Sequence, residues 1–172
     1  YQIIPVYSFT IMRKDHYILW KDENVDNSEN QRYFNEISKK TQVNIYNTKS
    51  VDQALDVIKR KQRVKFKLIT NGGGIEQTGR KLIDAAREIS QSAFVCLVFA
   101  YDERHLEWVS QRTNVLFTSS SDEFRKFISL DLNEDAIYNF AIELQNKYGY
   151  HFKINKSQLL SFPLTSRSSY DG

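Results

Sequence analysis

Residues 64–100, VKFKLITNGGGIEQTGRKLIDAAREISQSAFVCLVFA, decide the fold of this chain. An apolar run over 64–70 is followed by a polar glycine loop at 71–74 and by an amphipathic pattern over 77–89, whose apolar residues recur at helical spacing. The run at 93–100 is the most hydrophobic stretch of the chain, which predicts a central, buried strand. A strand, a helix and a second buried strand in this order predict two parallel strands joined by a crossover helix.

The same alternation extends outward on both sides of this unit. Further short apolar runs predict strands at 17–20, 43–46 and 115–117, and helical patterns separate them. One of these helices opens with a capping box, in which Ser50 accepts from an early helix amide and Gln53 is expected to reach back to the serine N–H. Five βα units therefore fill about 115 residues, and the right-handed crossover rule leaves few ways to connect them.

The predicted α/β core covers residues 17–130 and is flanked by two less regular segments. Residues 1–16 alternate loosely between apolar and polar positions and could add one strand at an edge of the sheet. The segment 131–172 begins with an amphipathic pattern that predicts a helix ending at Gly149. Beyond Lys156 the chain is rich in serine, as in a linker, a frayed end or the start of a following domain.

The composition is that of one packed globular domain. Hydrophobic residues make up 41% of the 172 residues and aromatic residues 13%, which is far too apolar for a disordered chain. No apolar run is long enough to span a bilayer, and no charged and then apolar signal segment opens the chain. We therefore expect neither a membrane span nor a secretion signal.

Residue counts also narrow the expected cofactors and partners. The single cysteine, Cys96, excludes an internal disulfide and is expected to be inert core, so a reducing, cytoplasmic location fits best. With one thiol and three scattered histidines, the usual zinc ligand sets are excluded, and we expect no metal centre and no cofactor. The net charge of +3 is too small to favour nucleic acid as a partner.

The ends of the predicted strands carry the residues that bear on function. In a doubly wound sheet these ends meet at one edge, where ligands bind. The residues that stand there are Asp22, Glu23, Asn71, Ala100, Thr118 and Ser119. With five βα units of this length, the arrangement resembles the receiver domain of two-component signalling over residues 17–130. The resemblance implies a flavodoxin-like α/β three-layer sandwich with a five-stranded parallel sheet in the order 2-1-3-4-5.

The residues that perform the receiver reaction are mostly replaced in this chain. In active receivers an acidic pair helps to bind magnesium, an aspartate after strand three takes the phosphoryl group, a serine or threonine ends strand four and a lysine ends strand five. The acidic pair is kept, but Asn71 stands at the acceptor position, and an amide cannot form an acyl phosphate. Ala100 replaces the hydroxyl residue, and Thr118 or Ser119 replaces the lysine. The resemblance therefore implies a pseudo-receiver with a vestigial acceptor pocket.

This interpretation predicts a non-catalytic regulatory module and not an enzyme. Its partner would be another protein or neighbouring domains of a larger intracellular signalling polypeptide. The resemblance places the partner face on the fourth and fifth helices and the strand between them. Aromatic side chains there predict an anchor for the partner. The residues are Tyr101, His105, Trp108 and Phe124. For Trp108 on this short helix, inward packing beside Leu106 and Val109 is the favoured interpretation.

The main alternative is a site for a small ligand or a nucleotide phosphate in the same crevice. The chain would then be a sensor or an enzyme, and a TIR-like protein is one possibility. Gly72, Gly73 and Gly74, followed by Arg80, nearly form a loop that cradles phosphate, although the hydroxyl that would bind magnesium is missing. Acids that face Asn71 would favour the pseudo-receiver. An open anion nest over the glycines would favour the ligand site.

Two further charged features have ordinary explanations. Asp22 and Glu23 could hold a hard cation, because oxygen ligands suit magnesium and calcium, but a solvated acidic loop is the favoured interpretation. Six of the nine residues in 59–67 are basic. This run could contact phosphate, but a solvated helix end is favoured, because the helix dipole attracts cations to that end.

Overall fold

The computed structural model describes residues 16–90 and 94–160. The strand that could lie within residues 1–15 and the serine-rich end beyond residue 160 are outside the described residues. The strands are β1 His16–Lys21, β2 Asn44–Thr48, β3 Lys65–Thr70, β4 Val95–Phe99 and β5 Val115–Thr118. The α-helices are α1 Ser28–Lys40, α2 Val51–Arg60, α3 Thr78–Ile89, α4 Leu106–Ser110, α5 Ser121–Ser129, α6 Glu134–Tyr148 and α7 Lys156–Leu160. Of the helices in 16–90 and 94–160, none is long and apolar enough to cross a bilayer.

The five strands form one parallel sheet in the order β2-β1-β3-β4-β5, flanked by helices. The predicted flavodoxin-like α/β fold and its strand order are confirmed. Strand β3 is central, and its Leu68 lies beside Leu19 of β1 and Cys96 of β4. All three side chains are fully buried, as expected for strands covered on both faces. Cys96 is thus part of the core, and burial raises the pKa of its thiol.

Helix ends agree with the capping signals, with one difference. The Ser50 hydroxyl accepts from the Gln53 N–H at 3.1 Å and caps α2 as predicted. The Gln53 side chain, however, accepts at 2.8 Å from the N–H of Lys49, one residue before the serine, because its carbonyl oxygen reaches past the cap. Asn133 caps α6 through its side chain, and Gly149 ends that helix with a φ of 76°, a left-handed conformation that favours glycine.

Some predicted boundaries shift for local reasons. Helix α3 begins one residue later than 77–89 because Gln77 is left-handed, with a φ of 52°, and a residue in that conformation cannot join a right-handed helix. The short helix predicted to carry Trp108 consists of a 3₁₀ turn, Glu103–His105, followed by α4. A second 3₁₀ turn, Gly74–Glu76, lies in the loop between β3 and α3.

The C-terminal helix packs on the edge of the α/β core. Its buried residues are Ile137, Phe140, Ala141 and Leu144. Phe140 lies against Phe127 of α5, with ring centroids 6.1 Å apart, and Tyr148 lies edge-on to Phe117 of β5 at 5.4 Å. Helix α6 therefore covers α5 and the edge strand β5.

The segment after α6 is tied to the start of β5. The Asn114 N–H donates to the Lys153 carbonyl at 2.7 Å, and the Asn114 side chain accepts from the Asn155 N–H at 2.9 Å. The chain from Lys156 to residue 160, predicted as the start of a linker or frayed end, is helix α7, with Leu159 buried. The side-chain contacts of Asn114 explain why the chain is ordered there.

One side chain of the basic run is buried in the sheet. Lys67 lies within β3 and is 1% exposed. Its Nζ donates to the carbonyls of Phe127 and Ile128 at 2.9 Å each, and to that of Leu130. Carbonyls at the end of a helix lack donors within the helix, and Lys67 supplies one to all three, although the Phe127 carbonyl also accepts from the Leu130 N–H at 3.2 Å. The solvated helix end predicted for 59–67 is therefore wrong for Lys67, because the central strand carries it into the core.

Candidate functional site

The candidate site lies where β1 and β3 end. The chain leaves β1 toward β2 and leaves β3 toward β4, which are on opposite sides in the sheet. The loops that follow these two strands therefore separate and leave a crevice between them. The two ends are joined by one backbone bond, from the Asn71 N–H to the Lys21 carbonyl at 3.2 Å.

A buried lysine, Lys21, occupies the centre of this site. Its side chain has no exposed surface, and its Nζ lies 2.7 Å from Glu23 Oε2. The same Nζ donates to Asn71 Oδ1 at 2.9 Å and to Thr78 Oγ1 at 2.7 Å. An ammonium group has three N–H donors, and all three have an acceptor here. A cation that belongs to the chain thus balances one acid of the acidic pair.

Asn71 is bonded at both ends of its amide. Its oxygen accepts from Lys21, and its Nδ2 donates to Glu23 Oε1 at 2.6 Å and contacts Asp22 Oδ1 at 3.5 Å. Thr78 donates to the other oxygen of Glu23 at 2.9 Å. Burial alone would raise the pKa of Glu23, but the bonds from Lys21, Asn71 and Thr78 outweigh it and lower the pKa to about 2. Glu23 is therefore a carboxylate at neutral pH.

Asp22 has different surroundings from Glu23. Its carboxylate accepts from the Asn24 N–H at 2.8 Å and from Asn30 Nδ2 at 3.3 Å. Burial raises the pKa of Asp22, and the Asn24 bond only partly offsets this effect. In the part of the chain that the structure describes, Asp22 forms no salt bridge. It is a half-buried acid held by neutral donors.

A cleft of about 300 Å³ opens beside these residues. It is lined by the carboxylates of Asp22, Glu29 and Asp102, by four asparagines, by three aromatic rings and by the glycine loop 72–74. No lysine or arginine of residues 16–90 and 94–160 is among the lining side chains. The volume is at the small end of the range for ligand sites, and the lining favours a cationic occupant over an anionic one.

The structure brings four of the six predicted pocket residues together. Asp22, Asn71 and Ala100 line the cleft, and Glu23 is bonded to Asn71. The acids thus face the asparagine at the predicted acceptor position. Ala100 contributes no hydroxyl, so Thr78 is the hydroxyl residue of this cluster.

The other two pocket residues, Thr118 and Ser119, belong to a separate polar cluster at the end of β5. The Tyr148 hydroxyl accepts from the Ser119 N–H at 2.9 Å and lies 3.3 Å from Thr118 Oγ1. Thr118 and Tyr148 both donate to Glu123 Oε1. Because helix α6 brings Tyr148 to this strand end, the two residues bond to it and not to Asn71.

The glycine loop is packed against its neighbours. A Cβ on Gly72 would lie 2.1 Å from His105 Nε2, and a Cβ on Gly73 would lie 1.9 Å from Thr78 Oγ1. Gly73 is also left-handed, with a φ of 82°. Arg80, the predicted phosphate ligand, does not line the cleft. The glycines therefore allow close packing, and no lysine or arginine of residues 16–90 and 94–160 lines the cleft beside the loop to pair with a phosphate.

Three of the four residues predicted as a partner face are buried. His105, Trp108 and Phe124 are 7%, 6% and 0% exposed. Trp108 Nε1 donates to His105 Nδ1 at 2.9 Å, and Phe124 stacks on Phe99 with ring centroids 4.5 Å apart. The prediction of an exposed aromatic anchor is wrong for these residues, because the short helices turn their aromatic faces toward the sheet. Tyr101, at 77% exposure, remains on the surface.

Sequence reasoning missed the two residues that organise the site, Lys21 and Thr78. Lys21 directly follows an apolar run and precedes two acids, so it has the appearance of the first loop residue. The available signal was that Lys21 directly follows the apolar strand predicted over 17–20, which in the structure extends by one residue to include it. Thr78 gave no signal, because its partners are more than 50 positions away in the sequence.

No cluster of three or more potential metal-ligating His, Cys, Asp or Glu side chains occurs in 16–90 and 94–160. The acidic pair is engaged by Lys21, Asn71 and Asn30 instead. Comparisons with protein-family models, curated proteins and solved structures gave no match to this chain, so they assign it to no family.

Proposed function

We propose that this chain is a non-catalytic pseudo-receiver that acts as a protein-interaction or regulatory module within a larger signalling protein. The observation that carries the proposal is the state of Asn71. It stands at the end of the central strand and faces both acids of the acidic pair. Its amide is not a nucleophile of the kind that forms an acyl phosphate, and both ends of the amide already have partners.

The charges around Asn71 support the same proposal. Phosphoryl transfer depends on cations placed on the phosphoryl oxygens. Lys21 is the cation at this strand end, and it already forms a salt bridge with Glu23, with 2.7 Å between Lys21 Nζ and Glu23 Oε2. A phosphoryl group that entered the cleft would instead meet the carboxylates of Asp22 and Glu29. Like charges repel, so these carboxylates oppose the binding of a phosphoryl group.

The same lining gives little support to a nucleotide-phosphate site. A phosphate loop needs a basic side chain beside its backbone N–H groups, but no lysine or arginine of the described residues lines this cleft. If the cleft bound nucleotides, they would raise the melting temperature by linkage. We expect no shift with a panel of mononucleotides and dinucleotides.

Two exposed apolar side chains support an interaction role at this edge of the sheet. Ile75 is fully exposed in the loop after β3, and Tyr101 is 77% exposed in the loop after β4. Tyr101 lines the cleft, and Ile75 directly follows Gly74, which also lines it. Single exposed apolar residues are common, but two on adjacent loops beside one cleft suggest a contact surface. Helix α6 already covers the edge strand β5, so that face is less accessible to a partner.

The test of the proposal is phosphoryl transfer itself. The full chain would be incubated with acetyl phosphate and Mg²⁺, and intact mass spectrometry would measure any added phosphoryl group. We expect none on the wild-type chain. The variant Asn71→Asp, which restores a carboxylate, shows whether labelling depends on this residue. Labelling of Asp22 or another carboxylate of the wild-type cleft would overturn the proposal.

A further inference from the structure

The cleft keeps two carboxylates without a cationic partner. Of its three acids, Asp102 is neutralised by Arg104, whose guanidinium lies 2.8 Å away. Asp22 and Glu29 form no salt bridge with any described residue. Lys21, at the end of the strand before Asp22, has its contacts with Glu23, Asn71 and Thr78. Two carboxylates of the cleft therefore lack a salt-bridge partner among the described residues.

Two buried polar side chains that line the same cleft have a donor without a partner. Tyr33 is 6% exposed, and its hydroxyl makes no hydrogen bond to a described residue. His105 is 7% exposed, and its Nδ1 accepts from Trp108 Nε1. The proton of the neutral imidazole is therefore on Nε2, which has no acceptor in the described part of the chain. Neither the Tyr33 hydroxyl nor His105 Nε2 is among the fully buried side-chain atoms that lack a partner, so both donors are accessible from the cleft and available to the acceptor atoms of a ligand.

The rim of the cleft adds an aromatic surface beside the acids. Tyr101 lines the cleft and is 77% exposed. Glu29 lines the same cleft, and its charge, with a smaller effect of burial, raises the pKa of Tyr101. A planar cation can pair with the carboxylate and stack on such a ring at the same time.

These groups together select among occupants. A bare metal ion would leave the donors of Tyr33 and His105 unused, because a metal accepts electron pairs and does not accept hydrogen bonds. A phosphate would satisfy the donors but would meet Asp22 and Glu29. An arginine residue within a peptide has both a guanidinium for the acids and a backbone carbonyl for a donor.

We propose that the cleft binds an arginine side chain presented by a basic segment of a partner protein. The guanidinium pairs with Asp22 and Glu29 and stacks on Tyr101, and a peptide carbonyl accepts from His105 Nε2 or the Tyr33 hydroxyl. Ile75 contacts an apolar residue beside the arginine. This inference rests on the proposed interaction role and names the chemistry of the partner.

The experiment uses a short capped peptide with one arginine between glycine and leucine, and the same peptide with citrulline, which keeps the shape of the side chain but not its charge. Isothermal titration calorimetry with the full chain measures both affinities at low and at raised NaCl. We expect the arginine peptide to bind, to weaken with salt, and to exceed the citrulline peptide roughly tenfold. Equal affinities would overturn the proposal.

Matched variants test the position of the site. Glu29→Gln changes an exposed cleft acid and should weaken the arginine peptide roughly tenfold. Glu88→Gln makes the same change on the exposed surface near the end of α3 and should have no effect. Because both residues are exposed, both variants should fold. Equal effects of the two would contradict binding in the cleft.

Two additional outcomes separate this inference from the proposed function. If free arginine binds as tightly as the peptide, the site takes a small cation and the partner segment is wrong. If no peptide binds while acetyl phosphate leaves the chain unlabelled, only this inference fails. Labelling of a cleft carboxylate would instead remove the pseudo-receiver proposal, whatever the peptide result.

Discussion

Two lysines are buried in neighbouring strands of the sheet, but their surroundings differ. Lys21 ends β1 and is 0% exposed, and Lys67 lies within β3 and is 1% exposed. The ammonium of Lys21 pairs with the carboxylate of Glu23 at 2.7 Å. That of Lys67 donates only to carbonyl oxygens at the end of α5, including that of Phe127 at 2.9 Å. One lysine balances a charge, and the other closes a helix end.

The difference shows that a buried lysine has one role at the carboxyl end of the sheet and another within its core. At the carboxyl end, Lys21 neutralises Glu23 and fixes the orientation of Asn71, so one acid of the pair has a cationic partner within the chain. Within the core, burial lowers the pKa of Lys67 to about 7, and only the distant charge of Asp131 opposes this shift. The first lysine therefore organises the candidate site, whereas the second fastens α5 to the sheet.

The largest expected effect is that of Lys21→Met. It leaves Glu23 and Asn71 without their shared cationic donor, and we expect the free energy of unfolding to fall by about 3 kcal/mol. The value is at the low end for a buried pair because Glu23 is 42% exposed, so water can hydrate the carboxylate. Urea unfolding followed by circular dichroism would measure it.

The control for this variant is Lys40→Met. Lys40 pairs with Glu36 at 3.4 Å on the surface of α1, and its side chain is 68% exposed. Surface pairs of this kind contribute about 0–1 kcal/mol, so this variant should be nearly neutral. If both variants cost the same, Lys21 is not the centre of the charge cluster.

The second effect, that of Lys67→Met, should depend on pH. The pKa of Lys67 is about 7 in the folded chain and 10.5 as the reference value. Between these values the unfolded chain binds more protons than the folded chain, so the free energy of unfolding rises with pH, by at most about 1.4 kcal/mol per unit. Below about pH 7 both states are protonated, and the cost of burying the charge is fully present.

Replacement by Met removes this titration and also leaves helix-end carbonyls unsatisfied. We expect a loss of about 1–2 kcal/mol near neutral pH. The difference between wild type and Lys67→Met should then grow in favour of the wild type as the pH rises toward 10. Unfolding experiments over this pH range would detect it. A pH-independent difference would show that Lys67 does not titrate in this window.

The fold could be predicted from the sequence because it depends on local patterns. The apolar run that contains β4 is long and uninterrupted, and the signals at Ser50 and Gly149 mark a helix start and a helix end directly. The order of the strands follows from the crossover rule once the βα units are recognised.

The site could be predicted only in part, because its contacts join residues that are far apart in the sequence. Asn71 and the acids were found at strand ends, but the bond from Lys21 to Thr78 spans 57 positions. A lysine at a strand end has the same local pattern whether it points into solvent or into a cluster. The same ambiguity affected His105 and Trp108, where a short helix gives too few turns to define its buried face.

The smallest expected effect on stability is that of Asn71→Asp. It tests whether Lys21, unlike Lys67, acts by balancing the charge of neighbouring carboxylates. The variant places a third carboxylate beside Asp22 and Glu23, while Lys21 can balance only one. We expect a loss of about 1 kcal/mol in the absence of divalent cations, because like charges at this distance repel. Three carboxylates suit Mg²⁺, so millimolar MgCl₂ should restore the stability by linkage.

Thermal unfolding with and without MgCl₂ checks this prediction, and Asn35→Asp, which adds the same charge on the exposed surface of α1, is the control. Neither that variant nor the wild type should respond to Mg²⁺. A wild-type response as large as that of Asn71→Asp would mean that the acidic pair binds the cation although Lys21 is present. The ammonium of Lys21 would then not take the place of a metal ion. Lys21 and Lys67 would differ in where they lie in the sheet and not in whether they balance a charge.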